Sequence, residues 1–246
     1  MEQNPYSINV RDLPMKIHIP KGEGPHPVLF LIHGWTGDEK VMWIFASRLP
    51  NNYVMIAPRG LYSSPLGGFG WHEHRRDDWP TLEEFSPAID KLMELMSTDE
   101  GSQPSFVEAL EDVPGGVDAI RQVDFSKVSL VGFSQGAALS YSIALTNPER
   151  VDLVAGLAGF MPDQVEELVD KRPLEGKRVF ITHGTEDDLV PVEKARQAVK
   201  LMQQAGSEVT YCEEKVGHKL SATCFNAMEA FFARHAQTNG SGSSTE

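Results

Sequence analysis

Short apolar runs alternate along this chain with longer stretches of mixed polarity, and turn residues fall between them. The most continuous run, Val28-Leu29-Phe30-Leu31-Ile32, is preceded by Gly24-Pro25-His26-Pro27 and followed by His33-Gly34. Unbroken apolar character, stopped on both sides by turn residues, predicts a strand covered on both faces. Tyr53–Ala57, Val128–Val131, Leu153–Leu157, Val179–Thr182 and Glu208–Cys212 predict further strands, and Ile8 to Ile19 one or two early ones. Segments of helical length lie between them, at about 38–48, 81–97, 104–122, 134–146, 192–205 and 221–235. Pro104 and Pro191 suit first-turn positions, where a missing N–H costs nothing, and Gly206 suits a helix stop. Strands alternating with helices in this way predict an α/β fold, a mostly parallel central sheet with helices on both faces.

Residues 1–237 read as one domain, since no internal repeat or interdomain linker interrupts the pattern. The segment 238–246 is too polar and small to pack and is expected to be a disordered tail. From Gly60 to Pro80 the periodicity breaks: four glycines and Pro65 stand beside Phe69, Trp71 and Trp79. Long loops inside compact domains are usually functional or disordered, and aromatics argue against disorder. Residues 60–116 are therefore expected to shape a substrate pocket, as a loop or lid, with Phe69 and Trp71 in its wall.

The 246-residue chain is 41% hydrophobic, enough to cover both faces of one sheet. Its 22 basic and 35 acidic residues leave a net charge of −13, which disfavours nucleic acid and anionic membranes as partners. No run reaches the ~20 apolar residues of a membrane span, so stable membrane insertion is not expected. The polar start, Met1-Glu2-Gln3-Asn4-Pro5, lacks the features of a secretory signal, and a cytoplasmic location is the default. Cys212 falls on a predicted strand and Cys224 on a predicted helix; two sparse cysteines read as buried free thiols.

The chemistry is carried first by Gly132-Phe133-Ser134-Gln135-Gly136, which follows the Val128–Val131 run and leads into Ala137-Ala138-Leu139. A serine hydroxyl is a poor nucleophile until it is lifted out of the chain and given a base. A strand, a sharp turn allowed by small residues, and a helix do the lifting. On this arrangement the partners follow in the order acid, then histidine, each on a loop after a strand. The strand Val179–Thr182 is followed by Glu186, Asp187 and Asp188, any of which could be the acid. After the next strand comes Gly217-His218. Of the eight histidines, only His218 follows the acid on its own strand-end loop; His33 and His183 precede glycines at strand ends and look structural. Two amides are needed for the developing oxyanion. One is that of Gln135, and the other is expected from Trp35 in the loop His33-Gly34-Trp35-Thr36-Gly37.

No metal or other cofactor is expected. His72-Glu73-His74 with Asp77 and Asp78 is interrupted by Arg75 and Arg76 and lacks definite zinc spacing. Gly67-Gly68-Phe69-Gly70 is not followed by the Lys-Ser/Thr of a phosphate loop.

These segments together resemble the phospholipase/carboxylesterase branch of the α/β-hydrolases, the group that includes acyl-protein thioesterases and small bacterial carboxylesterases. Leu31-Ile32-His33-Gly34 is similar to that family's L-H-G stretch, and Gly132–Ala137 matches its nucleophile turn residue for residue. His183-Gly184-Thr185-Glu186-Asp187 with Val190-Pro191 resembles its acid loop, which singles out Asp187 among the three carboxylates. Ala57-Pro58-Arg59-Gly60 and Trp71 are similar to the stretch before its substrate loop. Two departures stand out: Trp35 replaces a smaller apolar residue, and the stretch from His72 to Gly116 is longer. The resemblance implies an α/β-hydrolase fold and a serine carboxylesterase with the triad Ser134, Asp187 and His218. It implies short- to medium-chain acyl esters as small-molecule substrates. The apolar side chains expected to bind them, read from the residues themselves, are Phe69, Trp71, Phe160 and Met161. Thioesterase, lysophospholipase and peptidase variants use the same machinery, and a non-catalytic binding protein on this fold is the remaining alternative.

Overall fold

Eight strands form one sheet in the computed structural model, which describes residues 5–73, 78–96 and 103–240. In chain order the strands are β1 (Tyr6–Val10), β2 (Leu13–His18), β3 (His26–Ile32), β4 (Val54–Pro58), β5 (Tyr62–Ser63), β6 (Phe69–Gly70), β7 (Val123–Phe133), β8 (Val151–Leu157), β9 (Arg178–Gly184) and β10 (Glu208–Glu214). The helices are α1 (Trp43–Ala46), α2 (Ser86–Met96), α3 (Gln103–Ala109), α4 (Gly116–Arg121), α5 (Gln135–Thr146), α6 (Glu166–Val169), α7 (Val192–Gln204) and α8 (Ala222–Gly240). The sheet order is β1-β2-β4-β3-β7-β8-β9-β10, while β5 and β6 make a separate small hairpin. β1, β2 and β4 pair antiparallel, and every pairing from β4 to β10 is parallel.

Alternation along β3 divides the core. Val28, Phe30 and Ile32 face a cluster that includes Ile89 and Leu92 of α2, Leu139 of α5 and Met202 of α7. Leu29 and Leu31 face the opposite layer, built with Phe45 of α1 and Met228, Phe231 and Phe232 of α8. The two-sided covering expected from the unbroken apolar runs is thus present. α5 lies so deep that every residue from Gln135 to Leu145 is buried. A helix apolar all round is a buried one, and its Ser140 and Ser142 hydroxyls bond back to the Gly136 and Ala138 carbonyls.

The chain leaves β3 outward to β4 and returns on the other side of β3 as β7. Parallel sheets open a crevice beyond their carboxyl ends at such a reversal, and the loops after β3 and β7 carry Trp35 and Ser134 to it.

Several expected boundaries differ. The helix expected over 104–122 is two helices, parted at Pro114 and Gly115, where Gly115 has a φ of 70°. The one expected at 38–48 shrinks to α1. α8 continues to Gly240, three residues into the expected tail; 241–246 lie outside the described residues, as do His74 and Asp77 of the discarded metal candidate. Cys212 and Cys224 are not free thiols but a disulfide. α8 packs against β10 and brings the two Cα atoms to 5.6 Å, within bridging range. No helix among the described residues is long and apolar enough to cross a membrane.

Candidate active site

Ser134 has φ 54° and ψ −117°, a conformation an L-residue adopts only under constraint. The surrounding glycines explain how it is held. A Cβ on Gly132 would strike the Gly136 carbonyl, and a Cβ on Gly136 would strike the Ile32 carbonyl of β3. The Ser134 N–H donates to the Leu157 carbonyl at the end of β8, 2.8 Å away. Gly34 permits the neighbouring loop to come close: a Cβ there would lie 3.1 Å from Ser134 Cβ. As the first residue of α5, Gln135 has an N–H that the helix itself leaves without an acceptor.

Beyond β9 the three adjacent carboxylates separate by burial. Glu186 and Asp188 are exposed, whereas the Asp187 side chain is wholly buried. Asp187 Oδ1 accepts the N–H groups of Leu189 and Val190, each at 2.9 Å, and Oδ2 lies 2.7 Å from His218 Nδ1. Those two amides fix the carboxylate plane, and the carboxylate fixes the imidazole. The His218 ring also packs edge-on against Phe133, the residue before Ser134, with centroids 4.9 Å apart.

Behind the site burial works against the charged form of two histidines. Burial pushes His33 below its ordinary 6.5; its Nε2 accepts the Gly60 N–H at 2.8 Å, leaving Nδ1–H to donate to the Gly34 carbonyl at 2.7 Å. Burial likewise lowers His183, whose Nε2–H donates to the Val190 carbonyl at 2.7 Å and steadies the acid loop. Both side chains were expected to be structural, and these contacts say how.

A cavity of about 930 Å³ opens over these groups, with Ser134, His218, Trp35 and Gln135 in its wall. Its remaining lining is largely apolar, including Phe45, Phe133, Trp79, Phe160, Leu220 and Phe225. Of the four side chains expected to bind substrate, only Phe160 reaches it. Trp71 is fully buried and Met161 nearly so. Phe69 lies under the Arg59 guanidinium, 4.7 Å from its ring centroid, outside the cavity wall. The indole points inward, where its Nε1–H donates to the buried His33 carbonyl at 2.7 Å. Of residues 60–116, Leu66, His72, Asp78, Trp79 and Pro80 line the cavity, whereas Phe85, Leu92 and Phe106 sit in the core. Several lining residues not expected from the sequence flank the chemical groups: Phe133 precedes Ser134, Leu189 and Val190 follow Asp187, and Lys219 and Leu220 follow His218; Val41, Met42, Ile44, Phe45 and Phe225 come from elsewhere. For the flanking residues, adjacency to each strand-end loop was the available signal.

The chain matches the model of the phospholipase/carboxylesterase family over residues 16–236. An acyl-protein thioesterase 1 from Emericella nidulans is 31% identical over 48% of this chain and 52% of its own length. One from Mycosarcoma maydis is 27% identical over 74% of this chain and 77% of its own. The chain thus spans about half the length of the first relative and three quarters of the second. The crystal structure of a carboxylesterase from Mesorhizobium loti superimposes with a TM-score of 0.71 at 21% identity, covering 92% of this chain and 98% of that one. At that identity the superposition speaks for the fold alone.

Proposed function

Because the chain belongs to the phospholipase/carboxylesterase family of α/β-hydrolases, we propose that it is a serine carboxylesterase working through Ser134, His218 and Asp187. One observation carries this reading: His218 is bonded to the buried Asp187 and shares one cavity wall with Ser134 and the two candidate amides. His218 Nε2 takes the Ser134 proton as Oγ attacks the ester carbonyl carbon. The resulting oxyanion is held by the amides of Trp35 and Gln135, each worth ~3–4 kcal/mol in comparable sites. Asp187 accepts from Nδ1 and so keeps Nε2 free to receive the proton, then stabilises the imidazolium. Collapse returns that proton to the departing alcohol and leaves an acyl-Ser134. Water, deprotonated by His218, attacks this ester in turn and releases the carboxylic acid.

The apolar wall suits short- to medium-chain acyl groups of small esters. Thioesters are a second reading, favoured by the similarity to two acyl-protein thioesterases, and the same steps serve with a thiol leaving. The cytoplasmic expectation and the Cys212–Cys224 disulfide pull apart, since structural disulfides persist in oxidising compartments; the disulfide favours the latter. The test is turnover of p-nitrophenyl butyrate, which Ser134→Ala should abolish. No turnover by the intact protein, with no labelling by a fluorophosphonate, would leave a binding protein on this fold.

A further inference from the structure

The two candidate oxyanion amides come from segments far apart in the chain, the loop after β3 and the start of α5, so no covalent link sets their spacing. A third segment bonds to both. Gly60 N–H donates to His33 Nε2 at 2.8 Å, and Phe69 N–H to the Gly37 carbonyl at 2.8 Å. Trp71 reaches both sides at once. Its indole Nε1–H donates to the His33 carbonyl at 2.7 Å, and its backbone N–H donates to the Gln135 side-chain Oε1 at 2.8 Å. Its ring leans on that of His33, with centroids 5.0 Å apart. The preceding Gly70 is wedged between Trp35 and Gln135: a Cβ there would lie 3.0 Å from Trp35 Cδ1 and 3.2 Å from Gln135 Oε1.

We propose that Trp71 is a positioning residue, a buried brace whose two N–H groups set the distance between the oxyanion-hole amides of Trp35 and Gln135. The proposal rests on the esterase reading above. It assigns the 60–71 segment the work of backing the oxyanion hole. The charge that these amides meet exists only in the tetrahedral state, where donors must lie within about 2.7–3.1 Å of the oxygen. Loosening their spacing therefore weakens transition-state binding and leaves ground-state binding of the ester alone.

The experiment compares wild type, Trp71→Phe, Gln135→Met and the double variant. Each single change removes one bond of the brace and keeps both backbone amides. With p-nitrophenyl butyrate, each should lower kcat roughly ten- to a hundredfold, a fraction of the loss of a whole oxyanion donor, with KM within twofold. Affinity for a trifluoromethyl ketone, whose adduct places an oxyanion in the hole, should fall by the same factor. The double variant should lose no more than the worse single one, because both cut one connection. The acid limb of the pH profile should not move, since the His218–Asp187 bond is untouched. If Trp71→Phe does not fold, Gln135→Met carries the same expectation from the other end of the brace. Folded variants with kcat within twofold of wild type would overturn the brace, as would ketone affinity held while kcat falls. A wild-type protein that neither turns over esters nor takes a fluorophosphonate would overturn the esterase reading instead, and the brace with it.

Discussion

Replacing Asp187 by Asn keeps the shape of the side chain and changes only which atoms can donate. The pattern of bonds around the carboxylate makes the consequence calculable. Oδ1 accepts two backbone N–H groups, from Leu189 and Val190, and Oδ2 receives His218 Nδ1. An asparagine placed there must turn its carbonyl oxygen toward the two amides, because its NH2 cannot accept from them. Its NH2 then faces His218 Nδ1, which becomes an acceptor, and the imidazole proton moves to Nε2. An imidazole protonated at Nε2 cannot take the Ser134 proton. The opposite rotamer would preserve the right tautomer but strand the Leu189 and Val190 N–H groups, one part-buried and one buried, at up to about 1–3 kcal/mol each. Reaching the reactive form therefore costs up to about 2–6 kcal/mol, and the lost attraction between carboxylate and imidazolium adds to it. The sum is close to the ~10⁴-fold loss known for this change in serine triads, about 5.5 kcal/mol. The assay is kcat on p-nitrophenyl butyrate for Asp187→Asn and Asp188→Asn, each first shown to melt like wild type. Asp188 is exposed, and its variant should stay within about twofold, as surface changes usually do. Asp187→Asn within tenfold of wild type, or an equal loss at Asp188, would show that Asp187 does not set the His218 tautomer.

Two further outcomes concern stability. The disulfide closes a loop over a sequence separation of 12, so its reduction, or Cys212→Ser, should remove about 2–3 kcal/mol. This is read as a lowered melting temperature, and two thiols titrating in the folded, unreduced protein would contradict it. His33 and His183 are pushed below 6.5 by burial. Below that value the unfolded chain takes up protons that the folded one refuses, so stability is complete above about pH 6.5 and falls as acid is added. Glu39, held at about 2 by the Arg59 guanidinium, adds a separate loss that begins only below about pH 4.5. Melting temperatures measured from pH 8 to 4 should show the first decline before the second; a flat profile between 6.5 and 5 would count against buried neutral histidines.

What the chain discloses by itself follows from which physical forces are local. The apolar alternation of β3 is local, and so is the need for small residues around Ser134; both were legible. Glu186, Asp187 and Asp188 differ in burial and in the two amides downstream, neither of which is local, and in the sequence only the family resemblance distinguished them. Trp71 misled because a tryptophan in a glycine-rich loop signals packing without saying against what. Its acceptors, the His33 carbonyl and the Gln135 side chain, lie on other segments. The cysteine pair was hidden for the same reason: β10 and α8 must dock before the two sulfurs meet. The break at Pro114-Gly115, by contrast, has a local cause, since both residues disfavour a helix interior.

Every proposed chemical step begins with Ser134 Oγ as the attacking atom. Acid-quenching the protein during turnover of p-nitrophenyl butyrate, then sequencing its peptides by mass spectrometry, tests this directly. The expected result is a butyryl group on Ser134, formed with a burst of p-nitrophenol and absent from Ser134→Ala. A butyryl group on a different residue, or a burst that survives Ser134→Ala, would contradict it.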